Sequence, residues 1–276
     1  MKILILSDDF PAEGCGGAEI STLDLANGLL RVGHEVFMIT SCREKIDEGE
    51  TDCGGLRVFK VFAKYNEKWR AYTSLRNRQT VNKIKKLIKE INPDIVHAHN
   101  IHYYLSYGCL KSAKELNKPV FLTARDTMLF TYGKLATKRY LEKLDTRISW
   151  IDNLKYARKR YNPFRNIAIR YYLKYVDKIF AISDSLKQAL EANKIKNVEV
   201  IYNGVNVDDW ETSQQIADEF KTKYNLHAKK VVFFGGRISG LKGAEKINQS
   251  MELVKKEFPE AVLLVAGTSG VGWLSG

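Results

Sequence analysis

Cysteine is scarce in this chain. There are four, Cys15, Cys42, Cys53 and Cys109, and none belongs to a C-x-x-C pair. Their scatter argues against a zinc site or a disulfide framework and fits a reducing cytosol. Long apolar runs are missing too: no stretch approaches the roughly 18 residues that a membrane span needs. The apolar start, "MKILILS", runs straight into Asp8 and Asp9, so no secretory leader is expected. No Gly-Lys-Ser/Thr follows a glycine-rich loop, which removes the Walker class. No G-x-G-x-x-G follows the first apolar run with an acid about 20 residues on, which argues against a nicotinamide enzyme. Internal repeats and low-complexity tracts are absent. Acid is in short supply: 32 Asp and Glu face 44 Lys and Arg, for a net charge of +12. Such an excess suits an anionic partner, whether nucleic acid, a phosphate-bearing small molecule or an acidic membrane leaflet, or else it is merely a basic surface.

The 276 residues are 45% hydrophobic and 28% charged, enough for a packed core in one large or two modest domains. Strand-like and helix-like runs alternate along most of them. "KILILS" (2–7), "HEVFMIT" (34–40), "GLRVFKVFA" (55–63), "DIVHAH" (94–99), "VFLTA" (120–124), "KIFAIS" (178–183) and "VEVIYN" (198–203) read as strands. Helical spacing occupies 18–32, 76–91, 104–116 and 184–193. The first of these stops at Gly33 and the second at Asn92–Pro93. This α/β alternation predicts a mostly parallel sheet covered by helices on both faces. Ligands of such sheets bind outside the carboxyl ends of the strands, so the loops of interest are 8–17, 98–103, 124–133 and 203–209.

The pattern predicts three parts: an N-terminal Rossmann-like domain over 1–203, a linker and helix over 204–229, and a second Rossmann-like unit over 230–276. The second unit offers two strands, "KVVFFGG" and "AVLLVAG", around one helix over 243–257. Two strands and one helix leave a long sheet edge and one bare face. The expectation is therefore a fragment of a longer two-domain protein.

Several constellations lie at the ligand edge. "GCGGAE" (14–19) stands between the first strand and the first helix, where backbone N–H groups and the helix dipole favour phosphate. "HAHNIH" sets His97 and His99 on one face of a strand end, with His102 just beyond. His97 lies deeper and reads as a core histidine, while His99 is placed to contact substrate. A His-x-His metal site lacks a cysteine or carboxylate partner, so no metal is expected. Arg125 and Asp126 end another strand, as a ligand contact or a surface ion pair. "GGRISGLKG" (235–243) puts Arg237 and Lys242 on a glycine-rich loop, a fork and a point charge that suit a diphosphate. Residues 134–178 interleave Lys and Arg with aromatics such as Tyr140, Trp150 and Phe164. That mixture suits an interfacial membrane surface or a solvated helical excursion, with nucleic acid the weaker alternative.

Taken in order, "GGAEISTLDLANGLLRVGHEVFMIT", "PDIVHAHN", "DKIFAISDSLKQAL", "VEVIYNGVNVDDW" and "FFGGRISGLKG" resemble the retaining glycosyltransferases of family 4. The resemblance runs over nearly the whole chain. It implies the GT-B fold of two facing Rossmann-like domains, and transfer of a sugar from a nucleotide-diphosphate donor without metal or other cofactor. The basic, aromatic segment over 134–178 adds the expectation of a sugar or lipid-linked acceptor, a polysaccharide or glycolipid made at the cytoplasmic membrane face. Carried over by position, Gly16, Gly17, Arg237 and Lys242 would bind the donor. His99 and Asp126 would serve catalysis, and His102, Arg125 and Asn203 would meet the acceptor. Fixed cations at the leaving diphosphate would stabilise the charge that develops there. In such enzymes the leaving phosphate helps to deprotonate the acceptor, so no carboxylate pair of the hydrolase kind is required.

Two positions depart from the family. The family has His-Asp where this chain has Arg125–Asp126. Its acidic E-x7-E motif would lie beyond Gly276, so a poorly active chain is expected. The competing expectation is a remnant that binds acceptor or anionic membrane and does not turn over.

Overall fold

The first apolar run does form a strand, β1 (Lys2–Ser7), and everything that positions the site is built around it. A computed structural model describes residues 1–10, 16–236 and 243–267. The chain divides into two compact units, Met1–Asn206 and Val207–Gly276.

In the first unit β1 is followed by α1 (Gly17–Arg31), β2 (Glu35–Cys42), β3 (Gly49–Cys53), β4 (Leu56–Phe62), α2 (Arg70–Thr73), α3 (Arg78–Ile91) and β5 (Ile95–His99). Then come α4 (Gly108–Glu115), β6 (Val120–Ala124), α5 (Lys138–Lys143), α6 (Trp150–Ala157), α7 (Arg165–Leu173), β7 (Lys178–Ala181), α8 (Asp184–Ala192) and β8 (Val198–Val200). The strands form one sheet in the order β3-β4-β2-β1-β5-β6-β7-β8. Every pairing is parallel except β3 with β4. The order reverses at β1, which pairs with β2 on one edge and β5 on the other. A crevice opens at the carboxyl ends of the strands at such a switch point.

β3 is absent from the sequence reading. Its residues, GETDC, are all exposed, so no apolar alternation marks it. It is held by antiparallel pairing to β4 across Gly54 and Gly55, whose φ angles of 66° and 90° suit a two-residue hairpin turn.

Side chains alternate across the sheet and build two unequal cores. On one face Leu4, Leu6, Phe37, Ile39, Val96, Ala98, Val120, Leu122, Ile179 and Ala181 meet α3, α4, α7 and α8 in a single large cluster. On the other face Ile3, Ile5, Val36, Met38, Leu56 and Val58 meet α1 through Leu23, Ala26, Leu29 and Leu30. That second cluster ends at Ile95 and does not extend over β6 or β7.

The helix expected over 104–116 is shorter, because residues 100–107 are held as a loop. Buried Asp8, just past β1, accepts hydrogen bonds from the backbone N–H groups of Tyr103, Tyr104 and Leu105 at 2.6, 2.8 and 2.7 Å. The basic excursion over 134–178 folds as three short helices, α5 to α7, between β6 and β7. Ser149 and Asp152 form a capping box at the start of α6. Not all of this segment faces water: Arg165 and Tyr172 are buried, while Leu144, Trp150 and Phe164 are exposed.

The second unit contains α9 (Gln214–Lys223), β9 (Lys230–Gly235), α10 (Ala244–Glu257) and β10 (Ala261–Ala266). β9 and β10 pair in parallel from Lys230↔Ala261 to Gly235↔Ala266, a single β-α-β crossover. No helix among the described residues is long and apolar enough to cross a membrane.

Candidate active site

The site candidates of the first unit gather where β1, β5 and β6 end. α1 starts beside them, with Gly16 as its extended N-cap. A side chain on Gly16 would collide with the Glu19 carboxylate, whereas one on Gly17 would meet open space. Glu19 stands in the first turn of α1, where the helix dipole favours negative charge. Its Oε1 accepts from Asn100 Nδ2 at 3.1 Å. The helix terminus therefore already has a carboxylate beside it.

His99 closes β5 and is fully buried. Its ring lies 4.1 Å from that of His97. His97 in turn bonds the Thr123 hydroxyl of β6 at 2.8 Å. Burial and the nearby Arg125 cation push His97 down to about 4. Burial, His97 and Arg125 hold His99 well below the ordinary imidazole value. Both rings are thus neutral at pH 7.

Arg125 reaches across this group. Its Nη1 donates to Asn203 Oδ1 at 2.9 Å and to Ser21 Oγ. Its Nη2 meets His99 Nδ1 at 3.2 Å. Burial draws its guanidinium below the usual arginine value, with Glu19 opposing. Ser21, His97, His99, Thr123, Arg125 and Asn203 line a cavity of about 550 Å³ between α1 and the segment that follows β8.

Asp126 accepts from Met128 N at 2.7 Å and lies 3.5 Å from His102 Nε2. His102 is enclosed beneath it and meets the Tyr107 hydroxyl at 2.5 Å. Burial lowers the His102 pKa, with Asp126 pulling the other way. In this arrangement His102 supports Asp126 from below and does not face the cavity.

The structure thus brings His99, Arg125 and Asn203 together, with Asp126 and His102 forming an adjacent pair. Arg237 and Lys242 lie outside the described residues. Sequence reasoning missed three contributors. Ser21 had no motif signal and is 104 positions from Arg125. Asn100 follows His99 directly and could have been found by its place after β5. Asp8 could have been found by its place after β1.

The family model described as Glycosyltransferase Family 4 matches residues 15–209. The chain belongs to that family. Among family relatives, an uncharacterized glycosyltransferase of Methanocaldococcus jannaschii, MJ1607, is 25% identical over 279 aligned positions, which cover 97% of this chain and 63% of that one. Among solved structures, sucrose-phosphate synthase from Thermosynechococcus elongatus superposes with a TM-score of 0.66 at 17% identity, covering 98% of this chain and 63% of that one. Anabaena HepE, solved with UDP and glucose, gives 0.58 at 15% identity, covering 98% and 62%. These likenesses show the GT-B kind of fold. The family 4 chain described here spans less than two thirds of the length of each of these three proteins.

Proposed function

We propose that this family 4 chain transfers a sugar, with retention, from a nucleotide-diphosphate donor to a polysaccharide or glycolipid acceptor. The observation that carries the reading is the gathering of neutral His99, the Arg125 guanidinium and the Asp126 carboxylate at the sheet's carboxyl edge, beside the Gly16–Gly17 start of α1. The donor assignment is supported by HepE, whose structure holds UDP and glucose.

In this reading neutral His99 donates a hydrogen bond to the transferred sugar or the acceptor hydroxyl. Asp126, held by Met128 N–H and His102, orients the acceptor. Arg237 and Lys242 offset the charge that grows on the leaving diphosphate, a stabilisation that costs no reorganisation during reaction. No metal is assigned a role. Exposed Leu144, Trp150 and Phe164, interleaved with cations, would rest on the anionic inner face of the membrane, consistent with a cytoplasmic, peripheral location.

The test is release of nucleoside diphosphate from UDP-glucose and other nucleotide sugars, with Arg237→Ala and Lys242→Ala measured alongside. Each substitution should weaken nucleoside diphosphate binding by about 1.5–3 kcal/mol. Unchanged affinity would refute the donor assignment. The exposed aromatic and basic surface also favours a second reading, acceptor or membrane binding without turnover. Salt-sensitive sedimentation with anionic vesicles, without diphosphate release from any nucleotide sugar, would select it. Failure to sediment at low salt would remove the membrane clause.

A further inference from the structure

Arg125 stands where the family pattern often has histidine, and its direct partners are all neutral, with the Glu19 carboxylate acting on it only from a distance. Its hydrogen-bond partners are a serine hydroxyl, an asparagine carbonyl and an imidazole. No carboxylate among the described residues pairs with it. A guanidinium that is half-buried without a direct ion-pair partner is costly unless something anionic joins it.

The hydrogen-bond inventory agrees. An arginine N–H can only donate, so His99 Nδ1 must be the acceptor of the Arg125 Nη2 bond. The neutral ring therefore carries its proton on Nε2. That Nε2–H is buried and has no partner among the described residues, and the same holds for Arg125 Nε–H. Both side chains line the cavity of about 550 Å³. Among the described residues two donors bordering the cavity lack acceptors, and the guanidinium forms no ion pair. Arg125 Nη1 is meanwhile held by Asn203, an exposed residue whose neutral carbonyl an anion can displace. Charge-assisted bonds are roughly twice as strong as neutral ones, so the exchange is favourable.

We propose that Arg125 and His99 form an anion subsite that recognises a carboxylate or phosphate group carried by the acceptor. The word acceptor rests on the glycosyl-transfer reading; the anion preference does not. His99 supplies one neutral donor and Arg125 the charge and the fork. An acidic or phosphorylated sugar is selected over a neutral one, because a neutral hydroxyl leaves the guanidinium uncompensated.

The experiment is equilibrium binding to the 276-residue chain without any donor, using glucuronate, glucose 6-phosphate and glucose as probes. At least one anionic sugar should bind about tenfold or more tighter than glucose, the worth of one charge-assisted bond. Whether glucuronate or glucose 6-phosphate binds better tells carboxylate from phosphate. The preference should shrink with added salt and vanish in Arg125→Gln, with Arg125→Lys keeping part of it. Equal binding of all three probes, no binding of either anion, or an intact preference in Arg125→Gln overturns the proposal. The three-probe comparison on the unaltered chain stands even if a variant does not fold. Competition by UDP would give the subsite to the donor's diphosphate and overturn the acceptor clause. Absence of turnover with nucleotide sugars would count against the transfer reading alone and leave the anion preference standing.

Discussion

The two faces of the eight-stranded sheet are filled to different extents. One face is filled from β4 to β8 by a continuous apolar cluster under α3, α4, α7 and α8. The other is filled only from β4 to β5, under α1. Beyond that it carries His97, His99 and Thr123 beside a cavity. The same strands serve both faces, since Val96 and Ala98 alternate with His97 and His99. One face is built for cohesion. The other gives up packing to present polar side chains, and the chemistry gathers where the helix cover stops.

Substitutions can test that contrast. The largest effect is expected at Asp8, which ties the β1 end to the loop whose Leu105 enters the filled core. Asp8→Ala strands three backbone N–H groups, so urea unfolding should show a loss of about 3 kcal/mol or more, at about 1 kcal/mol or more each. A loss below about 1 kcal/mol would mean the loop finds other acceptors. Next comes Ile88, fully buried on the filled face. Ile88→Ala should cost about 2–5 kcal/mol. Phe180 is the larger side chain but only half-buried beside the cavity. Phe180→Ala should cost less, about 1–2 kcal/mol, since the ring borders open space and its loss leaves no sealed cavity. If the two costs are equal, or their order is reversed, the contrast between faces fails.

Acid offers a subtler probe of the same contrast. His97 and His99 refuse protons that the unfolded chain accepts below about pH 6.5. Their contribution therefore falls as pH drops, from about 6.5 to about 4 for His97 and lower still for His99. Asp8 acts oppositely. Burial raises it to about 7 against its N–H bonds, so its contribution is greatest in acid and is lost as pH rises to about 7. Three histidines, with buried His102 included, outweigh one acid, so thermal melts should decline between about pH 6.5 and about pH 4.5. His97→Gln should flatten the decline, and an unchanged slope would show that the cavity-side ring does not govern it. The smallest effect is expected at exposed Trp150, where Trp150→Ala should change stability by no more than about 0.5 kcal/mol.

Much of the fold was legible because burial on both faces writes continuous apolar runs. "KILILS" and "VFLTA" coincide with β1 and β6. β3 was illegible because its edge pairing needs backbone alone and its side chains carry no pattern. Residues 104–107 were misread as helix because Leu105, Tyr107 and Leu110 are apolar, while the Asp8 carboxylate that overrides helical bonding lies far away in sequence. The site was legible residue by residue: His99, Arg125 and Asn203 each end a strand or begin the loop after it. Their mutual bonding was not, since it depends on strand order and on Ser21, one turn into α1. His102 shows the converse, a residue suggestive in sequence that lies enclosed beneath Asp126.

The central place of β1 also has a consequence during synthesis. Its β2 partner leaves the ribosome soon after it, but its other partner, β5, follows only after roughly ninety more residues. At about 5–20 residues per second, one edge of this apolar strand waits for roughly 5–20 seconds. For that interval the nascent chain carries an open hydrogen-bonding ladder in the middle of its future sheet, and the first unit becomes safe from wrong partners only when β5 arrives.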